Sequence, residues 1–198
     1  MLELVHIDMW SDFVCPWSYL VSSCFEQLKQ SHPITIQWHA YELIPKGSPP
    51  ISTEVQLLLN EDRPRLYQIA RDDYGLKLNA GHFNTNSRLA LIGAKIAAEQ
   101  GLGDAYNGAI LHAFWHEAQP IDQVDILRDA AESIGLDGAD FVAALSIPAY
   151  EEQVEVDIQA AWTYGISGIP ALIIEKESLI MGVQTYETLV QVIENTHR

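Results

Sequence analysis

Apolar and polar positions alternate at the two ends of the chain and follow a helical period through its middle. Leu2 to Met9 is short, apolar-rich and bounded by the polar pair Ser11-Asp12, which predicts a buried strand. From Cys15-Pro16 the pattern becomes a helix running to about Gln30, with Tyr19, Leu20, Phe25 and Leu28 on its packing face. Pro16 suits the first helical position, where a missing N–H and a fixed φ cost nothing. Ile34, Ile36 and Trp38 then alternate with Thr35, Gln37 and His39, as in a second strand. The connections are short, so the chain opens β-α-β, and a helical crossover implies a parallel pair.

Pro45 to Pro50 is rich in Pro, Gly and Ser and reads as a linker. Helical stripes fill the following stretch. Leu89, Ile92, Gly93, Ile96 and Ala97 form one, with Asn84 or Asn86 as its cap. Tyr106, Ile110 and Phe114 form the next, then Val124, Leu127, Ala131 and Ile134. A helix over about Tyr150 to Tyr164 is expected to bury Val154, Ile158, Ala161 and Trp162. The β pattern returns in Ala171–Ile174 and Leu179–Met181, joined by the polar turn Glu175-Lys176-Glu177-Ser178 as a hairpin. Tyr186, Leu189, Val190 and Ile193 give a closing helix. The expected architecture is α/β, with residues 1–45 and 149–198 as one discontinuous unit and 46–148 as an inserted helical domain.

Composition narrows the function. The 198 residues are 48% apolar and 19% charged, an ordinary globular balance. With 11 basic and 27 acidic residues the net charge is −16, which argues against a nucleic-acid or anionic-membrane partner. Two cysteines, Cys15 and Cys24, cannot build a disulfide scaffold. No run is long and apolar enough to span a membrane, and residues 1–10 lack a signal-peptide pattern, so a cytoplasmic location is expected.

The most informative stretch is Asp12-Phe13-Val14-Cys15-Pro16-Trp17-Ser18-Tyr19. It sets a thiol between a strand and a helix, where unpaired N–H groups and a partial positive charge favour thiolate over thiol. A free thiol of pKa ~8.5 is only about 3% ionised at pH 7, so a lowered value would make Cys15 a nucleophile. Ser18, one turn on, is placed to donate to the sulfur. Cys24 is nine residues along the same predicted helix, ~13.5 Å of rise, too far to bridge to Cys15. Farther on, Gly165-Ile166-Ser167-Gly168-Ile169-Pro170 precedes a strand, where a cis X-Pro bond would present Ile169 to an extended ligand. Trp10, Phe13 and Trp17 could floor an apolar groove nearby.

Together these segments resemble the DsbA-like family of thioredoxin-fold proteins, in particular its FrnE-like branch. Further along, Tyr41-Glu42-Leu43-Ile44-Pro45, Asn86-Ser87-Arg88-Leu89-Ala90-Leu91 and Ala113-Phe114-Trp115 resemble the family's segments in the family's order. The resemblance implies a thioredoxin fold split by the helical insertion. It makes Cys15 the nucleophile, with Pro16, Trp17, Ile169 and the cis-proline Pro170 facing substrate. Dithiol members carry Cys-Pro-Trp-Cys where this chain has Cys-Pro-Trp-Ser, so Ser18 cannot resolve a mixed disulfide. The expected activity is therefore a monothiol thiol-disulfide oxidoreductase acting on a disulfide-bearing protein or small thiol substrate. An external thiol such as glutathione would release the mixed disulfide, as co-substrate rather than tightly bound cofactor.

Two alternatives come with this reading. The related 2-hydroxychromene-2-carboxylate isomerases and kappa-class glutathione transferases have a Ser-Pro-Tyr-Ser-like turn whose first serine stabilises a bound glutathione thiolate. A non-catalytic binding protein on the same fold is the other. The sequence leaves oligomeric state open; related proteins are often dimers, so a homodimer is suggested by analogy alone. His112 and His116, four apart on a predicted helix, lack a third ligand, and no metal is expected.

Overall fold

The computed structural model describes residues 4–45, 47–79, 81–82 and 84–196. Among these, four strands form one mixed sheet in the order β2-β1-β3-β4. The central strand β1 (Val5–Ser11) runs parallel to β2 (Ile34–Ala40), with Val5 opposite Ile34 and Ser11 opposite Ala40. On its other side it pairs antiparallel with β3 (Ala171–Ile174), which continues into β4 (Ser178–Met181). This is a thioredoxin-like α/β fold, as the β-α-β opening and β-β-α close predict.

The connection between β1 and β2 is two helices rather than the single one the periodicity predicts. α1 (Pro16–Ser23) and α2 (Phe25–Ser31) meet at Cys24. Ser22 and Ser23 donate their hydroxyls to the carbonyls of Tyr19 and Leu20 at 2.8 and 2.7 Å, and the Cys24 thiol also turns back to Leu20. Such back-bonding competes with the helical ladder, and here it coincides with the break. Both helices, with the C-terminal α9 (Tyr186–Thr196), cover one sheet face and enclose Val5, Ile7, Met9, Val21, Phe25, Leu28, Leu189 and Ile193.

Between β2 and β3 lie α3 (Thr53–Tyr74), α4 (Arg88–Glu99), α5 (Gly103–Trp115), α6 (Val124–Ser133), α7 (Gly138–Ala144) and α8 (Pro148–Thr163). Helices α4 to α8 share a core around Tyr106, Ile110, Phe114, Leu127, Ala131 and Val154, and Phe13 and Leu20 from the β1–α1 region enter it. α8 lies against the second sheet face, where Ala161 packs with Trp10, Ala171 and Ile173. Val154 and Ala161 are buried as expected, but Trp162 is 76% exposed. One residue beyond Ala161 turns the side chain about 100° around the helix, off the packed stripe.

α3 is the least embedded of these helices. Over 22 residues only Ala70 is fully buried, while Val55, Leu57, Leu58 and Leu59 are exposed. Its end is set by Gly75, whose φ of +66° lets the Gly75 and Leu76 amides close on Arg71 and Ala70. Neither residue proposed as the α4 cap holds that position, which is Ser87; Asn86, one residue earlier, accepts from the Arg88 amide at 2.9 Å. Asn84 instead accepts from Ile51 at 3.0 Å and fastens the segment before α3.

Candidate active site

The turn from β1 into α1 is fixed from several sides before any chemistry is considered. The Cys15 amide donates to the Asp12 carbonyl at 3.0 Å, and Pro16 occupies the first helical position. Trp115, at the end of α5, donates its indole N–H to the Phe13 carbonyl at 2.8 Å. The buried Asp12 carboxylate accepts from the amides of Leu43, at 2.8 Å, and Val14, at 3.3 Å. It thereby ties this turn to the segment following β2.

Cys15 occupies the N-cap of α1, and its sulfur takes the acceptor's place that Ser or Asp usually fills, receiving the Ser18 amide at 3.4 Å. On its other side Sγ lies 3.9 Å from the Ile169 carbonyl oxygen, to which the thiol donates. The Ile169–Pro170 bond is cis. The Ser18 hydroxyl is buried without a hydrogen-bond partner, yet near enough to the sulfur to favour its anion. Cys15, Ser18 and the cis Ile169–Pro170 turn are thus brought together.

The electrostatics differ from expectation. Cys15 is 3% exposed, and burial pushes its thiol up from the ordinary value. The Ser18 hydroxyl and amide oppose this, and the negative charge of Asp12 adds to it. Burial also pushes the Asp12 carboxyl up, outweighing the hydrogen bonds it accepts. The helix-terminus argument counts donors, but it cannot see that α1 begins beneath other elements. Cys24 belongs to the core on the α1–α2–α9 side, and burial pushes it up to about 11. Both cysteines are free.

An open cleft of about 600 Å³ runs up to Val14, Pro16 and Trp17, the neighbours of Cys15. Its lining includes Leu43 and Ile44 after β2, Phe114 and Trp115 of α5, and Leu59, Leu66 and Ile69 of α3. Of the three aromatic residues proposed as a floor, only Trp17 lines it. Trp10 is stacked on His39 at 4.2 Å on the α8 side, and Phe13 meets the edge of Tyr106 in the helical core. The contribution of α3 goes unread in the sequence. Leu59, Leu66 and Ile69 have helical spacing, a signal for the face but not for what it confronts.

Other polar and charged side chains find structural partners. Arg88 pairs with Glu42 at 3.1 Å and with Glu151 and Glu155 of α8, so the Asn86-Ser87-Arg88 segment starts a helix and ties it to α8 and to the segment after β2. His39 lies between Asp157, at 2.9 Å, and Asp8, at 2.7 Å. His112 stacks on His116, whose ring contacts the Tyr19 hydroxyl.

Comparison with known proteins agrees with this picture. The pattern of the DSBA-like thioredoxin domain matches residues 6–194, and the chain belongs to that family. It is 27% identical over 176 residues to a 2-hydroxychromene-2-carboxylate isomerase of Pseudomonas putida, covering 86% of each chain. It is 29% identical over 177 residues to the uncharacterized protein YwbO of Bacillus subtilis, again covering 86% of each. The crystal structure of a probable DsbA oxidoreductase from Streptomyces coelicolor superposes with a TM-score of 0.81 at 22% identity, over 98% of this chain and 90% of that one, a likeness of fold.

Proposed function

We propose that the protein is a monothiol thiol-disulfide oxidoreductase. The observation that carries this reading is the Cys15 sulfur at the N-terminus of α1, facing the Ile169 carbonyl, with a serine one turn on in place of a second thiol. The resting group is the thiol, donating to Ile169. As it loses its proton, the Ser18 amide and hydroxyl hold the anion. The sulfur then bonds to one sulfur of a disulfide R–S–S–R′, and the other leaves and is protonated as R′–SH. An external thiol such as glutathione attacks the Cys15–S–S–R bond, returns Cys15 to the thiol and leaves as the mixed disulfide with R. A second equivalent reduces that to R–SH. Two electrons pass from two external thiols, and Ser18 never forms a bond.

The test is turnover of hydroxyethyl disulfide with glutathione. Wild type should turn over and Cys15→Ala should not. Turnover that persists in the variant would discard the reading.

A second reading is favoured by the buried, partnerless Ser18 hydroxyl and by the isomerase relative. Here Ser18 and residue 15 would hold the thiolate of a bound glutathione, with no bond formed to the protein. The variant Cys15→Ser separates the two. Disulfide exchange should vanish in it, whereas glutathione-dependent isomerisation of a 2-hydroxychromene-2-carboxylate would survive.

A further inference from the structure

The exchange reading gives Ser18 the task of holding the Cys15 anion but leaves open what holds Ser18. Resting on the monothiol reading, we infer that His116 is a positioning residue for that reaction: through the Tyr19 hydroxyl it keeps the first turn of α1, and with it the Ser18 amide and hydroxyl, against the Cys15 sulfur. Tyr19 follows Ser18 in the chain and is buried, so its hydroxyl needs a partner inside the protein. It finds the His116 Nε2 in a close contact. The Tyr19 ring lies parallel to Trp115, with centroids 6.2 Å apart, and perpendicular to His116 at 5.8 Å. Trp115 in turn donates its indole N–H to the Phe13 carbonyl at 2.8 Å. Phe13 and Tyr19 flank the Cys15 turn, one before and one after, and two consecutive residues at the end of α5 grip both.

That end of α5 is itself held in place. The Asn79 and Gly81 amides close on the Trp115 and Phe114 carbonyls at 2.6 and 3.1 Å, and the Asn79 side chain donates to the His116 carbonyl at 3.3 Å. These donors satisfy acceptors that a helix C-terminus leaves unpaired. The His116 ring stacks on His112 at 4.8 Å, and Glu117 lies 3.7 Å from His112. Burial and the neighbouring His112 hold His116 below the ordinary imidazole value, so at neutral pH the ring is uncharged and able to take the Tyr19 proton at Nε2. From Tyr19 the path to the sulfur is short. Its amide donates to the Cys15 carbonyl at 3.2 Å, and the Ser18 amide beside it reaches Sγ at 3.4 Å. An outward shift of Tyr19 takes the Ser18 donors from the sulfur, while the Ile169 carbonyl stays on its other side and keeps the thiol proton. The nucleophilic anion then becomes scarcer.

The test uses the full chain with Cys24→Ala as parent, so that Cys15 is its single thiol. Two rates are followed: single-turnover exchange with 2,2′-dithiodipyridine at pH 7, and alkylation by iodoacetamide across pH. His116→Ala and Tyr19→Phe should each slow exchange by about three- to tenfold, the worth of one hydrogen bond, and raise the alkylation midpoint. The double variant should be no slower than either single one, because both remove the same bond. His116→Gln, which keeps an amide oxygen in reach of the Tyr19 hydroxyl, should recover most of the rate. Tyr19→Phe removes one oxygen and keeps the ring, so it carries the test should His116→Ala not fold. An exchange rate and midpoint equal to the parent's, whatever the loss of stability in urea, overturns the inference, as do losses that add in the double variant. A parent that is alkylated at Cys15 but exchanges with no disulfide removes the exchange reading instead, and the alkylation midpoints still judge the clamp.

Discussion

A cysteine at a helix start meets two opposing forces: amide dipoles that favour the anion and burial that favours the neutral thiol. At Cys15 burial wins, with the charge of Asp12 on the same side. Two outcomes follow. In a Cys24→Ala background the iodoacetamide rate of Cys15 should rise with a midpoint above the ordinary thiol value of about 8.5. Asp12→Asn removes the neighbouring charge but keeps an oxygen for the Leu43 amide, so it should move that midpoint down; an unmoved or higher midpoint would remove Asp12 from the account. The sign for stability is fixed too. A thiol raised in the fold contributes stability below the unfolded thiol's value that is lost as pH rises through the folded one. The turn itself was legible, because Pro16 after Cys15 and Gly-Ile-Pro before a strand are local signals. The burial was not, since the Ile169 carbonyl that meets the sulfur comes from 154 residues away.

At the scale of elements, periodicity located α4, α5, α6, α8 and α9 but missed α3 and the break between α1 and α2, and it read contacts poorly. The α4 stripe is right because every residue from Ala90 to Ala97 is buried, so no rotational error exposes it. On α8 the stripe is narrow, and one position of drift sends Trp162 into solvent. Gly93, placed in the α4 stripe by its spacing alone, has a definite role. A Cβ there would lie 2.1 Å from the Tyr106 hydroxyl and 2.8 Å from the Phe141 ring. Gly93→Ala therefore overpacks the α4–α5–α7 contact and should cost about 1–3 kcal/mol in urea unfolding, with no change in the Cys15 alkylation profile. Arg88→Ala should cost more, about 3–5 kcal/mol, because it leaves the buried Glu42 carboxylate without its guanidinium partner.

Across the whole molecule, the sheet and the helices inserted into it are joined by one charged knot. Asp157 of α8 accepts from Lys95 of α4, from the Ala40 amide at 2.7 Å and from His39 of β2, which reaches Asp8 of β1. Four elements, distant in sequence, meet at a carboxylate that no local motif announces, which is why the joint was invisible in the sequence. Burial alone would push the Asp157 carboxyl up, but the His39 hydrogen bond, Lys95 and the Ala40 amide outweigh it and hold it below the usual carboxylate range. A carboxyl depressed in the fold contributes stability above the unfolded value of about 3.9 and loses it as pH falls through the folded one. Asp12, raised in the same fold, contributes with the opposite sign and is untouched by a change at position 157. Comparing wild type with Asp157→Asn by urea unfolding from pH 7 to pH 2 therefore isolates the knot. At neutral pH the variant should be less stable by about 3 kcal/mol, having stranded the buried Lys95 ammonium. Below about pH 4 the wild-type curve should fall toward the variant's until the two nearly meet. Parallel curves over that range would mean that the charge on Asp157 does not hold sheet and helices together, and that apolar packing of α8 carries the joint alone.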